Sequence, residues 1–290
     1  MTVPCFTVCS PTHWGQHNLE WGKRTYVMGI INATPDSFSG DGVQSDEDWV
    51  QRAVLQALSF VQEGAAIIDV GGESTRPQAA QVETKQECER VVPIIQALRA
   101  ALPAHVLISI DTYKAEVATR ALTAGVDLIN DIWALQYDPA MADVASQYGV
   151  PVVLMANMRG YHKRDIISDV IRFLSAAIDR ALVAGIAWEH IIIDPGIGFG
   201  MTPEENLTVL RRLGELHTLG RPILLGTSRK STLGRVLGGL PPSDLLEATG
   251  ATVALGIAQG ADIVRVHDVH EMIRVVKMSD AIVRGTVTAL

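Results

Sequence analysis

Short apolar runs rich in β-branched residues alternate with longer amphipathic stretches along most of this chain. The first run covers 26–31 and the second 66–70. Further runs follow at 106–110, 127–130, 151–155, 190–193, 222–225 and 262–266. Each is a candidate strand, and each is followed by a helical stretch. In the first of these, Val50, Ala53, Val54, Ala57 and Val61 recur at helical spacing from about Asp46, and Gly64 ends it. The last two carry Leu245, Leu246, Thr249 and Val253, then Met272, Val275, Val276 and Ile282. Near-continuous apolar strands imply a sheet covered on both faces. Eight βα units in ~250 residues predict an α/β fold made of one (β/α)8 barrel, with an open doubly wound sheet as the alternative. Residues 1–25 fall outside the repeat. They predict a small hairpin or plug at the barrel bottom, with 6–8 and 19–21 as its pairing strands, ahead of a barrel over 26–290.

Composition narrows the picture without changing it. The chain has 290 residues, 48% of them hydrophobic, and a net charge of −8. That balance argues against a general nucleic-acid or anionic-membrane surface, so neither partner is expected. Three cysteines (Cys5, Cys9 and Cys88) form no disulfide framework and fit a reducing compartment. No apolar run approaches the ~18 residues of a membrane span, and no signal peptide is evident, so a cytoplasmic location is expected. Cys5, Cys9, His13 and His17 are spaced by four, but Pro4, Pro11 and Gly15 interrupt any helix there. The spacing matches no usual zinc pattern, and coincidence is the reading adopted.

The polar residues are distributed unevenly over this pattern. Asn32-Ala-Thr-Pro-Asp-Ser-Phe38 follows the first strand. Asp69 and Gly71-Gly-Glu-Ser-Thr-Arg-Pro77 follow the second. The third ends in Asp111-Thr112, the fourth in Asn130-Asp131, and the fifth at Met155 and Asn157. Asp194-Pro-Gly-Ile-Gly-Phe-Gly200, Gly226-Thr-Ser-Arg-Lys-Ser231, and Arg265 with His267-Asp268 complete the series. Any one cluster is explained by turn chemistry. All of them together lie at carboxyl ends of strands, which in a barrel converge on one mouth.

Two kinds of group meet there. Arg76, Lys230, Arg265 and His267, with the hydroxyls of Ser74, Thr75 and Ser231, form an anion-binding set suited to phosphate oxygens. Salt bridges from Arg76 or Arg265 to Asp69 or Glu73 are the competing role. Asp111, Asn130 and Asp194 can read the donor and acceptor edge of a flat heterocycle, unless the two aspartates merely cap the following helices. The segment 196–200 lacks G-x-G-x-x-G spacing. No P-loop, H-E-x-x-H or nucleophile elbow occurs. His105, His190 and His217 read as solvated.

Taken in order over residues 26–280, the motifs just quoted resemble those of the dihydropteroate synthases, pterin-binding enzymes. The resemblance implies that a hydroxymethylpterin diphosphate condenses with p-aminobenzoate, giving dihydropteroate and diphosphate in folate biosynthesis. It implies that Asp111, Asn130, Asp194 and Lys230 hold the pterin, with Met155 packed against it. Asn32, Thr75, Arg76, Arg265 and His267 would bind diphosphate, with Mg²⁺ as cofactor at Asn32. Thr75, Pro77, Phe199, Lys230 and Ser231 would shape the p-aminobenzoate pocket, which makes the site a sulfonamide target. Asp36 and Phe38 would belong to a mobile loop closing over it. Asp111, Asp194, Lys230, Arg265 and His267 are then the catalytic set. A homodimer through late helices is also implied.

One position departs from the family. After the fifth strand the family usually reads Leu-Met-His; here Leu154-Met-Ala-Asn-Met158 puts Ala156 at the His position. A rim contact expected from that strand is therefore in question. The alternatives are a pterin-dependent methyltransferase and a pterin-binding paralogue without turnover. Neither needs both the diphosphate set and the loop carrying Asp36 and Phe38.

Overall fold

The computed structural model describes residues 9–33, 46–74 and 81–286. A short antiparallel hairpin, β1 (Thr12–Trp14) and β2 (His17–Leu19), comes first. Eight parallel strands then form the predicted barrel: β3 (Tyr26–Asn32), β4 (Ile67–Gly71), β5 (Leu107–Asp111), β6 (Leu128–Asp131), β7 (Val152–Met155), β8 (Ile191–Asp194), β9 (Leu224–Leu225) and β10 (Ile263–Val266). They pair in the order β8-β7-β6-β5-β4-β3-β10-β9, and a bridge between Ile193 and Ile223 joins the two ends. The strands are buried almost throughout, as expected where both faces are covered.

Helices α1 (Asp46–Glu63), α2 (Thr84–Ala101), α3 (Ala115–Ala124), α4 (Met141–Tyr148), α5 (Ile166–Val183), α6 (Pro203–Arg211), α7 (Ser231–Val236), α8 (Leu246–Ala258) and α9 (Val269–Val283) alternate with the barrel strands. Local chemistry sets their ends. Thr202 and Glu205 form a capping box at the start of α6, and Asp165 accepts the Ser168 amide at the start of α5.

Two sequence expectations need correction. The run at 222–225 yields only a two-residue strand. Pro222 has no amide hydrogen, and the Asp262 carboxylate takes the Ile223 amide at 3.1 Å, so neither residue donates to a strand ladder. The N-terminal hairpin exists, but it is built from β1 and β2 around a turn with Gly15 at φ +53°. Residues 19–21 are not the pairing strand beyond Leu19, and 6–8 lie outside the described residues.

The hairpin sits under the barrel. Thr12 Oγ1 donates to the Glu189 carbonyl, His190 Nε2 meets the His13 carbonyl, and His17 pairs with Asp127 at 3.1 Å. Glu189, His190 and Asp127 all precede strands, which defines the bottom. Cys9 turns its thiol to the Gly220 carbonyl and Cys5 lies outside the described residues, so the described members of the N-terminal Cys/His series face different partners. Of the flanking histidines, His105 is exposed, while His190 and His217 are half-buried on backbone carbonyls.

Candidate active site

Side chains alternate along a strand, so residues two apart share a face. Asp69 and Gly71 therefore share one face of β4, and Ser109 and Asp111 one face of β5. The barrel directs that face inward. Arg265 of β10 donates from Nε to Asp69 Oδ2 and from an Nη to Asp111 Oδ2, both at 2.6 Å. β10 is not a sheet neighbour of β4 or β5, so these bonds cross the barrel interior. Asn130 Nδ2 of β6 donates to the same Asp69 oxygen at 3.2 Å. The second oxygens of Asp69 and Asp111, and the Ser109 hydroxyl, are buried with no hydrogen-bond partner among the described residues. An unmet buried acceptor costs ~1–3 kcal/mol, so three together mark a place built for a ligand.

Across the mouth, Asp194 ends β8. Its Oδ1 accepts the Gly196 amide at 2.7 Å, which leaves Oδ2 beside Gly226. The following glycine turn brings Phe199 over the site. Lys230 Nζ lies 4.2 Å from the centre of the Phe199 ring, and the Arg159 guanidinium lies 4.9 Å from it. Met155, Phe199, Tyr113 and Ile132 form a small apolar cluster of their own, with Trp133 packed against it. It is separate from the main core and gives the polar ring a flat, greasy wall.

Burial sets the charges. It pushes Asp111 up to about 7 despite the opposing pull of Arg265, and Asp194 up to about 6. Burial likewise lowers Lys230 to about 8, with Arg265 adding to the effect. Arg265 is raised, because Asp69 and Asp111 outweigh its own burial. His267 is lowered to about 3 by burial and by the nearby Arg265 and Arg229. His267 is thus a neutral imidazole at pH 7 and can serve an anion as a hydrogen-bonding group rather than as a charge. Ser228 Oγ lies 3.0 Å from His267 Nδ1 and accepts the His267 amide. Ser228 thus engages Nδ1, and Nε2 is the ring nitrogen left for a ligand.

Asp111, Asn130, Met155, Asp194, Phe199, Lys230, Arg265 and His267 are thus strand-end or loop residues of one mouth. Asn32 ends β3 there with an exposed side chain, and Ser231 is exposed at the first position of α7. Asp36, Phe38, Thr75, Arg76 and Pro77 lie outside the described residues. The helix-cap role does not apply to the aspartates. Asp111 bonds Arg265, the cap position of α3 belongs to Lys114, and Asp194 closes a turn. The salt-bridge role is real for Arg265 and coexists with the site. Ala156 is fully buried, its amide bonded to the Asp194 carbonyl at 2.9 Å, so position 156 is core rather than rim.

Ser109 and Arg159 belong to the mouth without having been placed there from sequence, and Asp69 and Ser228, which were placed there, had no binding role assigned to them. Period-two spacing from Asp111 was the available signal for Ser109. Nothing local marks the role of Ser228, whose partner His267 is 39 residues away.

Comparison with known proteins places this geometry in a family. The family described as pterin binding enzyme matches residues 28–267. The dihydropteroate synthase of Synechocystis is 48% identical over 94% of this chain and 96% of its own. A crystal structure of the dihydropteroate synthase of Clostridium difficile, in the presence of pteroic acid, superposes with a TM-score of 0.87 at 48% identity, covering 92% of this chain and 99% of the other. The Xanthomonas albilineans dihydropteroate synthase with 4-aminobenzoic acid gives a TM-score of 0.87 at 37% identity, covering 94% and 98%. With its motifs in register and its strand-end residues assembled at one mouth, the chain belongs to the pterin-binding enzymes, as a dihydropteroate synthase.

Proposed function

We propose that the barrel mouth condenses a hydroxymethylpterin diphosphate with p-aminobenzoate by dividing the work among three groups of residues. The observation that carries this is the Asp69–Arg265–Asp111 array, whose two carboxylates each keep a buried oxygen unpartnered among the described residues. Such oxygens suit the N–H edge of an aminopyrimidinone. Asp111, Asn130, Asp194 and Lys230 hold that ring, with Met155 against its face.

Arg265 spends two of its three nitrogens on the carboxylates, and the remaining Nη can meet diphosphate. His267 adds a neutral Nε2–H donor. Asn32, Thr75 and Arg76 complete the diphosphate set. The C–O bond breaks with its electron pair leaving on diphosphate, whose charge these donors stabilise. The carbon left behind is cation-like and conjugated to the pterin, and Asp111 or Asp194 offsets its charge. The arylamine nitrogen of p-aminobenzoate then forms the C–N bond with its lone pair and passes a proton to the released diphosphate or to water. Asp36, Phe38, Thr75, Pro77, Phe199, Lys230 and Ser231 shape the pocket that presents it.

Mg²⁺ fits the donor chemistry. Mg²⁺ takes one or two protein oxygens and fills its sphere with phosphate and water oxygens. No cluster of three His, Cys, Asp or Glu ligands occurs among the described residues, whereas the Asn32 carboxamide is a hard oxygen exposed at the mouth. Asn32 and the substrate diphosphate would hold the ion, which when bound neutralises charge on the leaving group. We also assign a homodimer, supported by exposed Leu255, Met278 and Ile282 on α8 and α9. The free thiols of Cys9 and Cys88 suit the reducing cytoplasm.

The test is turnover of purified protein with Mg²⁺. Diphosphate release is expected only when both the pterin diphosphate and p-aminobenzoate are present. Arg265→Ala is expected to lower the rate by about 100-fold or more. Sulfonamides, as p-aminobenzoate mimics, are expected to compete with it. Pterin binding without diphosphate release would instead favour a non-catalytic paralogue.

A further inference from the structure

Two loops meet beside His267. Residues 228–230 lie just after β9, and 267–268 directly follow β10. Ser228 Oγ accepts the His267 amide at 3.2 Å and lies 3.0 Å from His267 Nδ1. One residue on, the Arg229 guanidinium grips both carboxylate oxygens of Asp268, with Nε on Oδ2 at 3.1 Å and an Nη on Oδ1. Arg229 is left-handed, at φ +57°, a conformation that a non-glycine residue keeps only where its surroundings impose it. The Lys230 amide closes the turn on the Thr227 carbonyl at 3.2 Å. The ion pair and the turn hold this loop without help from the serine hydroxyl.

That hydroxyl has one hydrogen and two lone pairs. One lone pair takes the His267 amide. Among the described residues the hydrogen has one acceptor, His267 Nδ1. Were Nδ1 to carry the ring proton, the serine hydrogen would be left without a partner in a residue only 5% exposed. The ring is held neutral by burial and by Arg265, Arg229 and Lys230, against the pull of Asp268. A neutral ring whose Nδ1 accepts carries its proton on Nε2. The opposite tautomer would turn a lone pair toward an anion.

We propose that Ser228 is a positioning residue for the leaving group: its hydroxyl fixes the rotation and tautomer of His267, so that Nε2–H donates to the diphosphate. This rests on the assignment of His267 to the diphosphate set. Ser228 acts through one ring nitrogen, so its loss weakens diphosphate binding and spares the pterin ring. Asp111, Asn130 and Asp194 stand on other strands, and Lys230 keeps the anchors of its own loop. A serine that only stabilised that loop would release Lys230 as well, and both parts of the substrate would bind more weakly.

The experiment uses two probes, inorganic diphosphate with Mg²⁺ and 6-hydroxymethylpterin, which has no diphosphate. In Ser228→Ala the calorimetric Kd for diphosphate is expected to rise by about fivefold to tenfold, with that for 6-hydroxymethylpterin within about twofold of the parent. Nitrogen-15 spectra of the histidine-labelled parent are expected to show His267 protonated on Nε2, and its Nδ1 signal to move toward that of a free acceptor in Ser228→Ala. The His267 signals are those lost in His267→Ala. Adding Ser228→Ala to His267→Ala is expected to change diphosphate binding by less than about twofold, because the serine acts through the ring. A parent protonated on Nδ1, parallel weakening of both probes, a further loss in the double variant, or an unchanged diphosphate Kd in Ser228→Ala overturns the proposal. His267→Ala separates the two levels. If it leaves the diphosphate Kd unchanged, the diphosphate assignment has failed. If it raises that Kd and Ser228→Ala does not, only the positioning role has failed.

Discussion

At the scale of single residues, the site shows its function through charges held away from water. Asp111 and Asp194 are buried carboxylates whose proton affinity is raised to about 7 and about 6. A raised carboxylate pKa means the native protein holds protons that the unfolded chain has already released. Between about pH 4 and 7 the native state therefore binds more protons, and Asp111 contributes stability that is lost as pH rises. His267, lowered to about 3, works in the opposite direction between that value and its unfolded value of about 6.5, so absolute melting curves mix the two. The difference between Asp111→Asn and the parent isolates the aspartate. The variant is expected to gain thermal stability relative to the parent as pH rises from 5 to 8, by about 2–3 kcal/mol, measured by calorimetry at each pH. A flat difference would mean that Asp111 is ionised without cost. The same protons oppose the ligand, since a carboxylate that accepts two N–H bonds must be ionised. Pterin affinity is expected to fall by about tenfold between pH 7.5 and 5.5, and in Asp111→Asn the fall is expected to be smaller.

At the scale of elements, most of the architecture was legible because a parallel barrel strand writes its own end. Each is an apolar run whose polar terminal residue reaches the mouth, and Asn32, Asp111, Asn130 and Asp194 were readable on that basis alone. The rest depended on partners distant in the chain. Asp262 reaches back 39 residues to take the Ile223 amide and cuts the seventh strand short. Lys114 reaches Glu73 across 41 residues, and Arg265 reaches Asp69 across 196. The β1–β2 hairpin was misplaced because its strands are three residues long and mostly polar, which leaves no alternation to follow. The turn after β8 shows how local rules and distant contacts combine. Gly196 has φ +74°, and a Cβ there would stand 2.0 Å from the Ala156 carbonyl oxygen, a backbone atom that cannot swing away. Gly196→Ala is expected to cost at least about 2 kcal/mol, from backbone strain and overpacking together. It also moves the amide that holds Asp194, so pterin affinity is expected to drop with stability. Gly149→Ala is the control: φ is +62° but nothing lies within 4 Å of the added atom, and a loss of about 1 kcal/mol is expected. Equal losses in the two variants, read by chemical denaturation, would show that the close approach to Ala156 is relieved elsewhere.

At the scale of the whole molecule, the outer helices carry a feature that the barrel does not use. Leu255 is 66% exposed on α8, and Met278 and Ile282 are 63% and 72% exposed on α9. The two helices follow successive strands and run in the same direction. A Cβ on Gly250 would lie 3.5 Å from Val275 and 3.6 Å from Met272, so position 250 is level with 272–275. Advancing both helices by the same amount sets Leu255 level with about Met278, and Ile282 one turn beyond. The three are thus exposed apolar side chains at similar heights on neighbouring helices. Exposed apolar side chains of this size support the proposed homodimer, in which they would meet a second copy around a twofold axis. The mouth lies at the strand ends, so the proposed dimer contact is separable from pterin binding. Leu255→Glu combined with Met278→Glu puts four like charges into that contact and is expected to weaken the dimer by more than about 100-fold. Light scattering at micromolar concentration would then read a monomer, with the Kd for 6-hydroxymethylpterin unchanged. A parent protein that is itself monomeric under those conditions, or a double variant that stays dimeric, would move the interface away from α8 and α9.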